Sequence, residues 1–216
     1  QHHDGHDFIP QAVAAGAVAV LAERCPPDIE SLVLPAGDGP PQALKAGPGQ
    51  PVCLVVPDSL AALQQVAAHW RRQHDVRVIG VTGSVGKTTS KEVIAAVLKQ
   101  RYGCLKSEGN YNNEIGLPLT LLHLRAGHER VVLEMGMYEL GEIAQLAAIA
   151  LPQVGVVTDV GPSHLERLGS IERIAQAKAE LPRALPPAAE GGVAILNEDD
   201  PRVRAMAGMT QARVFT

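Results

Sequence analysis

The segment Val76–Thr89, VRVIGVTGSVGKTT, constrains the fold of this chain more than any other stretch. It begins with a β-branched apolar run, which is typical of a buried parallel strand. Gly83 and Gly86 then allow a tight turn whose backbone N–H groups can converge on an anion. Thr88 opens a predicted helix that runs to about Gln100 and directs its free N–H groups at the same anion. This order of elements predicts a phosphate-binding loop.

The two residues at the end of this loop carry the chemistry of the prediction. A lysine at the position of Lys87 reaches the β- and γ-phosphates of a nucleotide, and a hydroxyl at the position of Thr88 ligates Mg²⁺. The alternative is a plain glycine turn with a solvated Lys87, but the complete order of strand, loop and helix favours nucleotide binding. The helix is predicted to bury one apolar face, made of Val93, Ile94, Val97 and Leu98.

Composition supports a wound α/β protein and excludes some partners. Of the 216 residues, 46% are hydrophobic and only 3% aromatic, which suits a core of small aliphatic side chains around a parallel sheet. The net charge of −4 gives no indication of a nucleic-acid or acidic membrane surface. Any phosphate must therefore be bound by local donors, and we expect neither nucleic acid nor membrane insertion.

Two further features bear on the compartment. The longest apolar run, 12–22, has 11 residues and is too short to span a bilayer. The three cysteines, Cys25, Cys53 and Cys104, are scattered, odd in number and without metal-ligand spacing. They are interpreted as buried thiols in a reducing compartment.

The part before the phosphate loop reads as a small α/β unit. A helix is predicted at 10–15, a strand at 18–22 and another strand at 52–56, with a Gly/Pro-rich loop at 35–51 between the strands. The polar stretch at 71–75 is interpreted as a hinge. We therefore predict two domains, 1–74 and 75–216.

A histidine cluster near the first residue allows two readings. His2, His3 and His6 lie close to Asp4, so a metal site is conceivable there. A solvated loop is the favoured interpretation, because nothing beyond the spacing points to a metal.

Strands and helices alternate after the phosphate loop. Apolar strands are predicted at 131–133, 154–157 and 193–196, with helices at 140–150 and 170–185 between them, and the last residues also look like a strand. The predicted fold class is therefore α/β: a P-loop-type, mostly parallel sheet with flanking helices, preceded by part of a small α/β domain. Ligands of such sheets gather at the carboxyl ends of the strands.

Three side chains are candidates for that edge. Glu134 follows the strand at 131–133 and is predicted to hold Mg²⁺ directly or through water; a turn carboxylate is the alternative. His164 follows the next strand, where a lone histidine is more often structural. Lys178 falls on the apolar stripe of its helix, so it either extends its stem along the core edge or must be neutralised or converted to an anion.

An amide-rich loop lies between the phosphate-loop helix and Glu134. It contains Asn110, Asn112 and Asn113, and it precedes a helix with Pro118 in the first turn. Such a loop could be ordinary turn chemistry or could line a substrate site that faces the phosphates. The spacing alone leaves both readings open.

These segments together resemble the Mur ligases, the ATP-dependent amide-forming enzymes of peptidoglycan synthesis. The carriers are GVTGSVGKTT at 80–89, Glu134, PSHLERLGS at 162–170, AKAE at 177–180 and LNEDD at 196–200. Within the family, the stretches at 109–122 and 134–143 are most similar to the branch that adds D-alanyl-D-alanine to UDP-N-acetylmuramoyl-tripeptide (UDP-MurNAc-tripeptide). The stretch at 4–17 is similar to the end of a Mur amino-terminal domain that binds the UDP substrate.

The resemblance implies a function. ATP phosphorylates the substrate carboxylate to an acyl phosphate, the amino group of D-Ala-D-Ala attacks, and phosphate leaves to give the amide. It also implies a role in cell-wall biogenesis, cell shape and cell division, a bacterial cytoplasmic location and a monomer. A sister ligase that adds a diamino acid, a folylpolyglutamate-synthase-like ligase and a non-catalytic P-loop module remain alternatives.

The resemblance also implies site residues. The ATP phosphates and Mg²⁺ are expected on Thr88 and Glu134, and a second metal on His164 and on Lys178 in carbamylated form. Asn197 is expected near the adenine, and Asn113 near the phosphates or the incoming substrate. The residues expected around the nucleotide are Gly83, Ser84, Val85, Gly86, Lys87, Thr88, Thr89 and Asn197; Lys87, His164 and Lys178 are the expected catalytic residues. The missing Met and the abrupt last strand indicate an interior fragment, expected to be inactive alone.

Overall fold

The chain forms two compact units. The structure, a computed structural model, describes residues 4–33, 47, 50–163 and 165–216. The first unit comprises residues 1–63 and the second residues 64–216. This division falls eleven residues before the predicted domain boundary at 74/75, and the assignment of a substrate-binding and an ATP-binding part to the two sides stays a prediction.

The first unit has the predicted helix and strands. Its described elements are a 3₁₀ helix at Gly5–Phe8, α1 at Ile9–Ala14, β1 at Ala19–Ala22, β2 at Glu30–Val33, β3 at Val52–Val55 and the start of α2, Ser59–Arg72. The three strands form a parallel sheet in the order β1-β3-β2. The predicted helix at 10–15 and strands at 18–22 and 52–56 are confirmed. The loop predicted at 35–51 falls almost entirely outside the described residues.

The second unit alternates strands and helices along its whole length. Its elements are β4 at Arg77–Thr82, α3 at Lys87–Leu98, β5 at Cys104–Lys106, α4 at Gly116–Leu121, β6 at Arg130–Glu134, α5 at Glu142–Ala150, β7 at Val154–Val157, α6 at Leu165–Leu168, α7 at Ile171–Lys178, α8 at Glu180–Arg183, β8 at Val193–Leu196, α9 at Pro201–Arg204 and β9 at Arg213–Phe215. Two 3₁₀ helices, Ala188–Glu190 and Ala205–Met209, complete it.

The strands of the second unit form one six-stranded parallel sheet. Their order is β5-β6-β4-β7-β8-β9, and every described pair is parallel. After β4 the chain continues to β5, which lies to one side of β4 in the sheet. After β7 it continues to β8, which lies on the opposite side. The carboxyl ends of β4 and β7 therefore border the place where the winding changes direction, which is where open α/β sheets bind ligands.

The sheet is covered by helices on both faces, and β4 shows why. Val78 packs in the large core with residues from α4, α5 and α7, whereas Ile79 and Val81 pack against α3 on the opposite face. Because successive side chains of a strand point to opposite faces, a run of β-branched residues fills both cores at once. The predicted fold class is confirmed.

The apolar face predicted for α3 is partly wrong. Ile94 and Leu98 pack against the sheet, but Val93 and Val97 are 57% and 66% exposed. The face that meets the sheet is instead centred on Lys91 and Ala95, both buried. The prediction assumed that the valines of this helix are buried. The helical spacing from Lys87 instead places Lys91 and Ala95 on the inward face.

The cysteine prediction is wrong for two of the three residues. Cys25 and Cys53 form a disulfide, with their Cα atoms 6.1 Å apart, and Cys104 is a free thiol that is half-buried. Cys25 follows β1, and Cys53 lies on the neighbouring strand β3, so the parallel pairing brings together two residues that are 28 positions apart. The sequence spacing gave no sign of this pairing.

None of the helices in the described part of the chain has the length and apolar character needed to cross a membrane.

Candidate functional site

The loop after β4 has the backbone of an anion-binding turn. Gly83 has a φ of +153° and Gly86 one of +81°, and α3 begins directly after Gly86 without a side-chain cap. A side chain at Gly83 would collide with the Thr158 hydroxyl. The first N–H groups of α3 are therefore left for another acceptor, beside the positive end of the helix dipole.

A second loop, after β7, holds the phosphate loop in place. The Asp159 carboxylate accepts a hydrogen bond from the Val85 N–H (2.7 Å), and the Thr158 hydroxyl donates to the Val85 carbonyl (2.6 Å). The Ser84 hydroxyl donates to the carbonyl of Gly161 (2.9 Å) and accepts from its N–H (2.8 Å). The two loops at the switch of winding direction are thus joined through Ser84 and Val85.

The Thr88 hydroxyl and the Glu134 carboxylate meet beside the loop. Thr88 lies in the first turn of α3 and Glu134 ends the adjacent strand β6, and Thr88 Oγ1 donates to Glu134 Oε2 over 2.8 Å. Glu134 is 3% exposed, and its backbone N–H donates to the Ser107 hydroxyl (3.1 Å). A buried carboxylate and a hydroxyl at this spacing offer two of the oxygen ligands that Mg²⁺ prefers.

Lys87 lies over the loop that precedes it. Its ammonium donates to the carbonyl oxygens of Gly83 (2.7 Å) and Ser84 (3.2 Å). The charge is therefore held at the mouth of the loop, within the same group of residues as the free N–H groups of α3. Thr89, the next residue after Thr88, is exposed in the same first turn.

The amide-rich loop packs on Glu134. Asn112 Nδ2 donates to Glu134 Oε1 (2.9 Å), so both carboxylate oxygens of Glu134 have a hydrogen-bond partner. Asn113 Oδ1 accepts from the N–H groups of Ile115 (3.3 Å) and Gly116 (2.9 Å) at the start of α4. Of the two readings left open, the structure shows turn chemistry for Asn113, and both asparagines also line a cavity beside the loop.

That cavity brings together four of the predicted residues, Gly83, Lys87, Asn113 and Lys178. Its volume is about 80 Å³, and its walls include Gly83, Lys87, Asn112, Asn113, Gly136, Ser163 and Lys178. Lys178 reaches it from the end of α7, on the same edge of the sheet as Lys87. The Ser163 hydroxyl is buried and has no hydrogen-bond partner among the described residues, so this wall has a polar group available to a bound molecule.

Lys178 is the buried lysine that the helical stripe predicted. It is 2% exposed, and desolvation, followed by the nearby charge of Lys87, lowers its pKa to about 8, with Asp159 acting in the opposite sense. The amine is therefore mostly protonated at pH 7, but its neutral, nucleophilic form is far more abundant than for an exposed lysine.

Two candidates stand apart from this group, and a third is not described. His164 lies outside the described residues. Asn197 Nδ2 donates to the Thr158 carbonyl (2.8 Å) and thereby braces the loop after β7. Within the described part of the amino-terminal cluster, His6 Nδ1 lies 2.6 Å from an Asp4 carboxylate oxygen, and its Nε2 accepts from the N–H groups of Glu23 and Arg24. His6 thus has structural partners on both ring nitrogens.

Sequence reasoning missed three contributors to the site. Asn112 was only one of several loop asparagines, Asp159 was not assigned a contact, and Lys91 was not considered. The ammonium of Lys91 lies 3.7 Å from Glu134 Oε2. Lys91 could have been found by following the helix face from Lys87 in steps of four residues.

These residues fit a magnesium nucleotide. The glycine turn and the uncapped start of α3 suit phosphate oxygens, and Thr88 and Glu134 supply oxygen ligands. Among the described residues, no group of three or more His, Cys, Asp or Glu is placed to hold a metal ion. A metal at Thr88 and Glu134 would therefore need further ligands, which phosphate oxygens can provide.

The fold and the site define a class of proteins, the P-loop-type α/β domains with an acidic residue at the end of the strand next to the loop. Comparison with known proteins then gives the family. Residues 81–216 match the Mur ligase middle domain. Because the match spans more than half of this chain, the chain belongs to that family.

Individual relatives agree with this assignment. The chain is 47% identical over 198 residues to the UDP-N-acetylmuramoyl-tripeptide–D-alanyl-D-alanine ligase of Synechocystis, a match that covers 91% of this chain and 39% of the relative. The chain thus spans about two fifths of the length of the curated relatives that it matches.

Solved structures agree as well. MurF from Acinetobacter baumannii superposes with a TM-score of 0.80 at 31% identity, covering 99% of this chain and 42% of that one. MurF ligase from Thermotoga maritima in complex with ADP has a TM-score of 0.76 at 34% identity, covering 98% of this chain and 44% of that one.

Proposed function

We propose that this chain forms the ATP site of a ligase that joins D-alanyl-D-alanine to UDP-MurNAc-tripeptide. The observation that carries the proposal is the hydrogen bond between Thr88 and Glu134 beside an uncapped helix start, with Lys87 and Lys178 on one cavity. The relatives named for this reaction supply the substrates.

The loop binds the phosphates. The N–H groups of the first turn of α3 and the Lys87 ammonium place positive charge where the transferring phosphoryl group gains negative charge. Ser84 and Val85 keep these donors in position through their hydrogen bonds to the loop after β7, and Gly83 and Gly86 supply the turn. Thr89 continues the same turn, and Asn197 braces that second loop from the side where we place the adenine.

Thr88 and Glu134 hold Mg²⁺ together with the phosphates. When bound, the metal ion polarises a phosphoryl oxygen as a Lewis acid. The task of this chain is to keep the two oxygen ligands together before the nucleotide arrives, and the 2.8 Å bond between them does so. His164 is proposed as a ligand of a second metal ion.

Lys178 is proposed to act as a carbamate. Its neutral amine attacks the carbon of CO₂: an N–C bond forms, the electron pair of one C=O π bond moves to oxygen, and the nitrogen gives a proton to water. The side chain thereby becomes an anion. The low pKa of about 8 favours this step, because only the neutral amine reacts. An anionic group next to Lys87 also removes the repulsion between the half-buried Lys87 ammonium and the buried Lys178 ammonium.

The cavity beside the loop receives the reacting carboxylate. Phosphorylation of that carboxylate gives an acyl phosphate, the D-Ala-D-Ala amine attacks its carbonyl carbon, and phosphate leaves as the amide forms. Asn113 lies at the wall of this cavity and is proposed to contact the substrate.

The test is a phosphate-release assay in a complete ligase. The segment of the Synechocystis enzyme that matches this chain is replaced by this chain, and phosphate is measured with ATP, UDP-MurNAc-tripeptide and D-Ala-D-Ala. We expect release that needs both substrates and that Lys87→Ala abolishes. Turnover with another amine in place of D-Ala-D-Ala would contradict the substrate assignment, and turnover by the 216-residue chain alone would contradict its expected inactivity.

We further propose that the protein acts as a monomer in the bacterial cytoplasm, where ATP and UDP-linked precursors are found. A reducing compartment disfavours a disulfide such as Cys25–Cys53. The proposed location therefore rests on the substrates and not on the cysteines.

A further inference from the structure

A second buried lysine lies close to the phosphate loop and has no part in the proposed function so far. Lys91 is one helical turn after Lys87 on α3, and its side chain is fully buried. A buried ammonium is retained only where the surrounding groups compensate its lost hydration. The groups that contact the Lys91 ammonium therefore indicate its role.

Three acceptors surround the Lys91 ammonium. Glu134 Oε2 lies at 3.7 Å, Glu92 Oε1 at 3.5 Å, and the Gly109 carbonyl oxygen at 3.5 Å. Glu134 and Lys91 are both almost completely buried, so their attraction is little screened by water. Glu92 is exposed, and the Lys106 ammonium contacts both of its carboxylate oxygens at 2.8 Å.

The two carboxylates next to Lys91, those of Glu92 and Glu134, differ in their other partners. Glu92 has its own cation in Lys106, whereas the only ion pair that Glu134 forms within the described part of the chain is the one with Lys91. Glu134 Oε2 is also the oxygen that accepts from Thr88. The Lys91 ammonium thus lies next to Glu134 Oε2, the oxygen that we expect to face the metal ion.

We propose that Lys91 is a positioning residue of the nucleotide site. Its buried ammonium balances the charge of Glu134, keeps Glu134 Oε2 directed at Thr88 and ties both to the start of the amide-rich loop at Gly109. The inference rests on the proposed function, because it assigns Lys91 to the metal-dependent part of nucleotide binding. The proposal assigns Lys91 an effect through Glu134 and no contact of its own with the nucleotide or the metal.

The experiment compares ATP affinity with and without metal. Calorimetric titration of the 216-residue chain gives the dissociation constant in Mg²⁺ and in EDTA, and their ratio measures the contribution of the metal. For Lys91→Met we expect this ratio to fall by about tenfold or more, as for other residues that orient metal ligands. Affinity in EDTA should stay near that of the unchanged chain.

The matched control is Lys99→Met. Lys99 is exposed at the end of the same helix, so this variant makes the same charge change away from Glu134. It should leave the ratio unchanged. Lys91→Met should have no further effect in a Glu134→Gln background, since the residue acts through Glu134.

The outcomes separate the two proposals. If Mg²⁺ does not strengthen ATP binding to the unchanged chain, the proposed function fails and Lys91 loses its role with it. If Mg²⁺ does so and Lys91→Met keeps the full ratio, only the Lys91 proposal is overturned. If Lys91→Met does not fold, a folded Lys91→Met/Glu134→Gln double variant supports the pairing, and an unfolded double variant overturns it.

Discussion

Two buried lysines close to one loop set the electrostatics of the site at the scale of single residues. Lys91 is compensated by Glu134, whereas no ion pair is found for Lys178 among the described residues. The cost for Lys178 is visible in its pKa, which desolvation and the charge of Lys87 lower from 10.5 to about 8. The buried Lys178 ammonium therefore lowers the free energy of unfolding, and its lowered pKa makes the amine more reactive.

This cost predicts a pH dependence of stability. Below pH 8 Lys178 is charged in both states and its destabilisation is complete; between pH 8 and 10.5 the unfolded chain binds more protons, so stability rises with pH. Lys178→Met should be more stable than the unchanged chain at pH 7, by roughly 1–3 kcal/mol, and the difference should shrink towards pH 10.

Urea unfolding at pH 7 and pH 9.5 measures that difference. The exposed lysine variant Lys99→Met is the control and should follow the unchanged chain at both pH values. A Lys178→Met difference that is the same at both pH values would show that the buried amine has an ordinary pKa.

The Thr88 hydroxyl gives a second prediction at this scale. Thr88→Val keeps the shape of the side chain and removes the donor to Glu134 Oε2. We expect ATP affinity in Mg²⁺ to fall about tenfold, or ~1.4 kcal/mol, with stability changed by less than about 1 kcal/mol because Thr88 is exposed. Calorimetric titration measures both affinities. Thr88→Ser retains the hydroxyl, and a loss of affinity equal to that of Thr88→Val would contradict the role of the hydroxyl.

The sequence predicted most residues of the site. There are physical reasons why it did not single out Asn112 and Lys91. Lys87, Thr88 and Glu134 belong to a local pattern of strand ends and helix starts. Asn112 and Lys91 act through a partner on another element, and such a contact depends on strand order, which spacing does not contain. The roles assigned to the predicted residues remain proposals.

At the scale of elements, carboxylates fix the wall of the cavity between β6 and α5. Glu180, in the first turn of α8, accepts from the N–H groups of Gly141 (2.7 Å) and Ala144 (3.0 Å) at the start of α5. Glu142 accepts from the N–H groups of Tyr138 (2.5 Å) and Glu139 (3.2 Å). Negative charge at a helix start is stabilising, so both residues hold the loop that precedes α5.

Glu180→Gln tests this arrangement. The amide keeps the shape but loses the charge at the helix start, so we expect a loss of about 0.5–1.5 kcal/mol in the free energy of unfolding. Urea unfolding at pH 7 measures it, with the exposed Glu190→Gln as control. Equal stability of the two variants would mean that Glu180 does not stabilise α5.

Element prediction succeeded where the chain is apolar over several residues and failed for short or mixed segments. The strands at 131–133, 154–157 and 193–196 are confirmed, with β6 extended by one residue at each end. β5 is three residues long and half-buried at an edge of the sheet, so it has no continuous apolar run to mark it. β2 is as long as the confirmed β1 and β3, but only two of its four residues, Leu32 and Val33, are apolar.

At the scale of the whole molecule, the parallel sheet makes the site possible. Residues separated by 95 positions line one cavity: Gly83 follows strand β4, and Lys178 ends helix α7, which lies between β7 and β8 along the chain. The sequence predicts the carboxyl edge of the sheet through the polar residues that follow each strand. It does not give the order of the strands, and therefore not which loops touch.

The most direct test of the account is the position of a bound metal. Crystals of this chain with ADP and Mn²⁺ give an anomalous signal that locates the ion without assumptions about the protein. We expect a peak in contact with Thr88 Oγ1 and Glu134, with the phosphates at Gly83, Gly86 and Lys87. A metal ion bound to other residues, with the nucleotide away from the glycine turn, would contradict it.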